Sequence, residues 1–222
     1  MELDGMTGRF FRICEIISKL AYLNILWIFF TILGVGIFGF IPATVALFAI
    51  VRKWVMRDTD VPIFTTFWKI FRQEFLKSSM LGGSLLLIGY ILYIDFLYLP
   101  SDGLFALVRF GLMVVALLYI IVLLYIFPLF VHYEWKNRLY IKYALVLGAS
   151  HPHYTLLMII GIGIVYYASV NIPGIIPFFS ISLLAYIIMW TSYQVIRKIE
   201  ATQIIDEENE EGETNELVME EN

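Results

Sequence analysis

Gly34-Val35-Gly36-Ile37-Phe38-Gly39-Phe40-Ile41-Pro42-Ala43 lies in the middle of an apolar block, residues 16–51, whose one charge is Lys19. About 20 apolar residues cross roughly 30 Å of hydrocarbon, so the block is too long for one span and slightly short for two comfortable ones. Glycines permit a tight turn, and proline is favoured at the first position of a helix. The block therefore reads as helix 16–33, a turn, and helix 41–56. The first helix runs on from Arg9 and Arg12 into this hairpin, which predicts a retained span rather than a cleaved signal.

The rest of the chain agrees with a membrane setting. Of 222 residues, 60% are hydrophobic and 15% charged, and the mean hydropathy is +0.82. Soluble domains are nearer 45–50% apolar and about 25% charged. Nucleic-acid binding, a disulfide scaffold and an ordinary soluble enzyme are all poor fits. A single cysteine, Cys14, forms neither an internal disulfide nor a multi-thiolate metal site. Four further spans are predicted near 78–99, 104–131, 154–171 and 174–195. Basic residues mark the cytoplasmic side of membrane proteins. With six spans and both termini inside, fourteen of the fifteen Lys and Arg residues fall in cytoplasmic segments, Arg109 being the exception. A five-span arrangement would set the six bases of 52–77 opposite those of the N-terminus. The expected fold is an all-α polytopic bundle of six transmembrane helices, N-in and C-in, plus one interfacial amphipathic helix.

Ten of the nineteen acids fall in 200–222, which has no Lys or Arg. Residues 1–199, the membrane domain, thus carry a net charge of +6 and the tail -10. The tail has few large apolar residues and is expected to be a disordered cytoplasmic extension.

Residues 60–77 suggest the interfacial helix. Ile63, Phe64, Phe67, Trp68, Phe71 and Phe75 recur at helical spacing, while Lys69, Arg72 and Lys77 occupy other positions. Such a helix lies among lipid headgroups, and the alternative is a docking face for a partner helix. The candidate face comprises Phe64, Phe67, Trp68, Phe71 and Phe75 with Lys69 and Arg72.

Two intramembrane features are candidate sites. Asp95 and Arg109 lie seven residues either side of Asp102. An antiparallel hairpin sets them at matching depth, and ionisable groups in a span call for a partner. They are expected to approach each other as an ion pair near the outer leaflet. Asn24 and Trp27 lie one turn apart on the first helix. Asn24 is expected to hydrogen-bond across helices, either as packing glue or lining a polar cavity with Thr31 or Thr44.

Other patterns carry no chemistry. Gly34-x-Gly36-x-x-Gly39 matches a dinucleotide fingerprint only formally, because it lies in an apolar hairpin rather than a strand–turn–helix unit. His132, Glu134, His151 and His153 share one segment, but they lack the spacing of a metal site. No catalytic set, cofactor site or metal site is expected.

Gly8-Arg9, Asn24-Ile25-Leu26-Trp27, Gly34 to Pro42-Ala43, Arg52-Lys53 and the later Phe67-Trp68 and Phe71 to Phe75 stretch resemble the YesL-like family of bacterial integral membrane proteins. That resemblance covers roughly residues 5–198. It implies a multi-pass protein of the bacterial plasma membrane, without established catalytic residues, in contact with the lipid bilayer and ABC transporter subunits. The implied role is accessory or scaffold component of oligosaccharide uptake. The acidic tail is an addition to the family pattern. A small-solute transporter or channel is the alternative, and a membrane enzyme a further one.

Overall fold

The computed structural model describes residues 6–100, 103 and 105–220, with side chains described at 11, 13–36, 38–100, 103 and 105–201. The side chains of Arg9 and Arg12, residue Asp102 and the side chains of the acidic tail beyond Ala201 lie outside that description. Seven helices follow in order: α1 (Met6–Leu33), α2 (Ile37–Val55), α3 (Ile63–Tyr98), α4 (Phe105–His132), α5 (Asn137–Ser150), α6 (Pro152–Asn171) and α7 (Ile175–Glu220). All but α5 are long and apolar enough to cross a membrane. The described residues form an all-α bundle with six candidate spans.

The turn at 34–36 makes the first hairpin. Gly36 has φ of +66°, and Val35, unusually for a β-branched residue, has φ of +62°. Gly34 and Gly39 face each other so closely that a Cβ on Gly39 would lie 2.6 Å from the Thr31 carbonyl oxygen and 2.7 Å from the Gly34 Cα. Close backbone approach of two helices requires residues without side chains. Because the reversal is complete at Gly36, α2 begins at Ile37 rather than at residue 41, and Pro42 lies inside the helix.

α2 is the centre of the bundle. Every residue from Ile41 to Phe48 is buried, as expected of a helix that is apolar on all sides. One apolar cluster joins it to α1, α3 and α7 around Phe30, Leu47, Phe67 and Met189. A second gathers Tyr125, Ile126, Tyr140, Met158 and Val195 from α4, α5, α6 and α7.

Three further features differ from the sequence reading. The amphipathic segment is not a separate interfacial helix, for α3 runs unbroken from Ile63 to Tyr98. Its 36 residues correspond to about 54 Å at 1.5 Å per residue, far more than about 30 Å of hydrocarbon. The seventh helix is instead α5, folded back along α4: Tyr140 meets Phe130 near the end of α4, and Gly148 meets Ile121 and Tyr125 further up. Finally, α7 continues to Glu220, so the tail expected to be disordered is helical in its backbone. Glutamate is a good helix former, and extending an existing helix avoids the cost of nucleation.

Candidate functional site

Asn24 is completely buried, and its amide is fully engaged by the first turns of α7. Its Nδ2 donates to the Pro177 carbonyl at 2.7 Å, with the Ile176 carbonyl at 3.5 Å. Its Oδ1 accepts the backbone N–H groups of Ile181 and Ser182, both at 3.1 Å. Pro177 and Ile181 are i and i+4, so one side-chain amide engages both ends of a single helical rung. Ser180 Oγ and Ser182 Oγ donate to the Ile176 and Phe179 carbonyls at 2.6 and 3.1 Å. α7 is unbroken from Ile175 onward, so these bonds add to its first turns rather than replace missing rungs.

Trp27, one turn on, faces α2 instead. Its Nε1 donates to Thr44 Oγ1 at 3.1 Å, and the Thr44 hydroxyl donates to the Phe40 carbonyl at 2.7 Å. Asn24 and Trp27 therefore tie α1 to two different helices and do not line a shared cavity with Thr44. Thr31 Oγ1 is buried without a partner and is not joined to Asn24.

The aromatic face of 63–77 is turned largely inward. The Phe30 ring centroid lies 5.0 Å from Phe67, 5.1 Å from Phe71, 5.5 Å from Trp68 and 6.2 Å from Phe64. Phe67 is 0% and Phe71 6% exposed, so α1 already fills the face proposed for an outside partner. Phe75 extends the row at 5.5 Å from Phe71. Phe64 and Trp68 remain 50% and 42% exposed, and Lys69 and Arg72 are exposed on the outer side.

Asp95 and Arg109 form no ion pair: no Asp95 carboxylate oxygen lies within 4.0 Å of Arg109, whose guanidinium instead sits 4.7 Å from the centroid of Phe96. The α3–α4 seam runs through Leu85, whose carbonyl accepts from the Tyr119 hydroxyl at 2.9 Å, and on to Phe96 opposite Arg109. Eleven residues from Leu85 to Phe96 keep a helical position on one face, whereas Asp95 is rotated by about 100° from it. Asp95 is consequently exposed off the seam.

At the basic end, polar residues from three helices converge. Arg52 at the end of α2 donates Nε to His132 Nδ1 at 3.2 Å and a terminal nitrogen to the Val131 carbonyl at 2.9 Å. His132 Nε2 lies 3.5 Å from a Glu200 carboxylate oxygen on α7. The Tyr133 hydroxyl donates to that same oxygen at 2.7 Å. Burial first, and then the Glu200 carboxylate, hold the Tyr133 hydroxyl protonated well above its usual range. This junction was not singled out from the sequence, since its members are 80 and 67 residues apart. The signal available was the polar trio His132, Tyr133 and Glu134 directly after a long apolar run.

His151 and His153 lie apart from it at the α5–α6 corner, their rings 6.0 Å from each other. Burial, then His153 and Lys198, lower the pKa of His151. The four residues His132, Glu134, His151 and His153 are thus split between two places, and the described residues contain no group of three His, Cys, Asp or Glu able to hold a metal ion.

Three curated relatives from Bacillus subtilis (strain 168) are similar over most of the chain. The uncharacterized protein YteU is 46% identical over 201 residues, covering 90% of each chain. The uncharacterized protein YesV is 39% identical over 198 residues, or 88% of this chain and 95% of that one. The uncharacterized protein YesL is 32% identical over 191 residues, 86% of this chain and 90% of its own length. No solved structure matches. A family model described as "Protein of unknown function, DUF624" matches residues 20–96, which hold Asn24, the glycine turn, Arg52 and the aromatic row. This polytopic chain belongs to the YesL-like family, DUF624.

Proposed function

We propose that this protein is a non-catalytic scaffold of the bacterial plasma membrane that serves as an accessory to an ABC-type importer of oligosaccharides. The observation that carries the scaffold reading is the α3–α4 hairpin. From Leu86 to Ile121 no described residue is buried. The two helices touch along the seam through Tyr119 and Phe96 and turn their remaining apolar faces outward. Asp95 stands on one of these uncovered faces. A carboxylate at such a place is costly in hydrocarbon, and a donor from a partner helix would offset that cost. The hairpin is in this reading an arm that a transporter permease packs against. The oligosaccharide importer as partner is what the YesL-like resemblance implies.

A transporter or channel is the second reading, favoured by one observation: the N-terminal turns of α7 at Pro177–Ser182 gather a buried polar side chain, Asn24, and polar groups at helix N-termini recur at transporter sites. Against it, Asn24 is completely buried and its hydrogen bonds all go to protein. Affinity purification of the tagged full chain in mild detergent separates the two. Recovery of permease or ATPase subunits, reduced by Asp95→Leu, supports the scaffold. A homogeneous chain without partners that moves a sugar into liposomes overturns it.

A further inference from the structure

We propose that a cleft at the basic end, between α2, α3 and the end of α4, binds the phosphate of an anionic phospholipid. The cleft has a volume of about 390 Å³. Arg52 and Lys53 enter from α2, Lys77 and Gln73 from α3, and the apolar wall includes Ile70 and Phe130. All three cations are partly buried.

None of the three cations is held in an ion pair with a described residue. Among the described residues, no carboxylate oxygen lies within 4.0 Å of a side-chain nitrogen of Arg52, Lys53 or Lys77. Glu74 and Glu134 also border the cleft, which leaves it with a net charge of +1 from these five groups. Arg52 spends two donors on neutral acceptors, the His132 ring and the Val131 carbonyl, and keeps its charge and its remaining donors. Lys77 is held by aromatic faces instead, its Nζ 5.1 Å from the Phe130 centroid and 5.8 Å from that of Tyr140. A positioned but unpaired cation suits an anion supplied from outside.

Place and lining select a lipid. The cleft belongs to the end that the positive-inside rule assigns to the cytoplasm, facing the leaflet surface where anionic headgroups attract Lys and Arg. Basic pockets between transmembrane helices at that level bind such headgroups. The apolar wall beside the cations offers the start of the acyl chains a surface that inorganic phosphate cannot use. The proposal is independent of any importer partner.

Native mass spectrometry of the full chain in detergent, titrated with phosphatidylglycerol or phosphatidylcholine, tests it. Phosphatidylglycerol is expected to be retained preferentially. The double variant Lys53→Gln/Lys77→Gln should bind it about thirtyfold more weakly, from about 1 kcal/mol per base, while phosphatidylcholine retention stays unchanged. Gln73→Glu, an exposed substitution that adds a carboxylate to the cleft, should weaken it in the same direction without depending on the lysines for folding. Lys136→Gln/Arg138→Gln, outside the cleft, should leave binding intact. Equal retention of the two lipids, or undiminished phosphatidylglycerol binding in both cleft variants, overturns the proposal. Displacement of phosphatidylglycerol by millimolar inorganic phosphate also overturns it, by assigning the cleft to a soluble phosphate.

Discussion

The Asn24 amide donates to the Pro177 carbonyl at 2.7 Å and accepts the Ile181 N–H at 3.1 Å, so a side chain of α1 stands beside one rung of α7 as a third hydrogen-bonding partner. Their separation of 153 residues makes this bond one tie between the first and the last spans. Asn24→Ala removes these side-chain bonds across α1 and α7, while the α7 rung itself stays closed within its continuous helix. Interhelical hydrogen bonds in membranes are worth about 0.6–2 kcal/mol, and the expected loss lies at the upper end because several bonds go together. Asn24→Asp keeps the acceptor, loses the donor to Pro177 and buries a charge, so it should be worse than alanine. Reversible unfolding in mixed micelles measures both. Equal stability of Asn24→Ala and the parent would show that the Asn24 bonds add nothing to the α1–α7 contact.

Phe30 is the hub of the aromatic row, touching four rings of α3. Phe30→Ala is expected to cost about 3–5 kcal/mol, the range for truncating a buried phenylalanine. Phe64→Ala, at a half-exposed position, should cost well under half of that. The contrast distinguishes an internal packing role from a lipid-facing one, because an interfacial row would lose membrane affinity at Phe64 and Trp68 and little stability at Phe30.

The α1–α2 turn predicts opposite responses at neighbouring positions. Val35 holds φ of +62° with its side chain exposed, and left-handed backbone costs a non-glycine residue about 1–2 kcal/mol. Val35→Gly removes that cost but gives the unfolded chain more freedom, so it should be neutral to mildly stabilising. Gly39→Ala would drive a Cβ into the Thr31 carbonyl and the Gly34 backbone and should destabilise the hairpin strongly. Thermal stability of the two variants in one detergent decides the matter, and a benign Gly39→Ala would contradict the close approach.

The span count was legible because burial in lipid is written in composition: long apolar runs, and fourteen bases that a six-span reading gathers on one side, point to six crossings without reference to tertiary contacts. Asn24 was legible as a buried polar group, but its partner was not, since nothing near residue 24 encodes the geometry of residues 176–182. Residues 63–77 misled for a physical reason. Aromatics and bases at helical spacing suit a headgroup surface and a protein core equally, and only Phe30 on another helix decides between them. The back-folded α5 was hidden because its 14 residues, including Arg138 and Lys142, are too few and too polar to read as a span.

The Asp95–Arg109 hairpin illustrates the same limit, and it yields a numerical test. Symmetry about a turn predicts depth, whereas facing depends on a single helical step, and that step gives Arg109 the Phe96 ring. A double-mutant cycle of Asp95→Asn and Arg109→Gln should show coupling near zero. The cycle of Phe96→Leu with Arg109→Gln should show about 0.5–1 kcal/mol, the value of an exposed cation–π contact. Coupling of Arg109 to Asp95 above that to Phe96 would restore the ion pair.

The Tyr133–Glu200 bond predicts a distinct alkaline behaviour. Burial and the adjacent carboxylate raise the Tyr133 pKa above its ordinary value of 10.0. An unfolded tyrosine therefore loses its proton before the folded one does, so the unfolded state binds fewer protons in that window. The stabilisation is complete below about pH 10 and declines as pH rises from there toward the folded value. Tyr133→Phe removes both the 2.7 Å bond and the titration. Its melting temperature should start lower at neutral pH but fall less steeply above about pH 10 than the parent's, the remaining tyrosines contributing equally to both. Parallel alkaline limbs in the two proteins would mean that Glu200 does not hold this hydroxyl protonated.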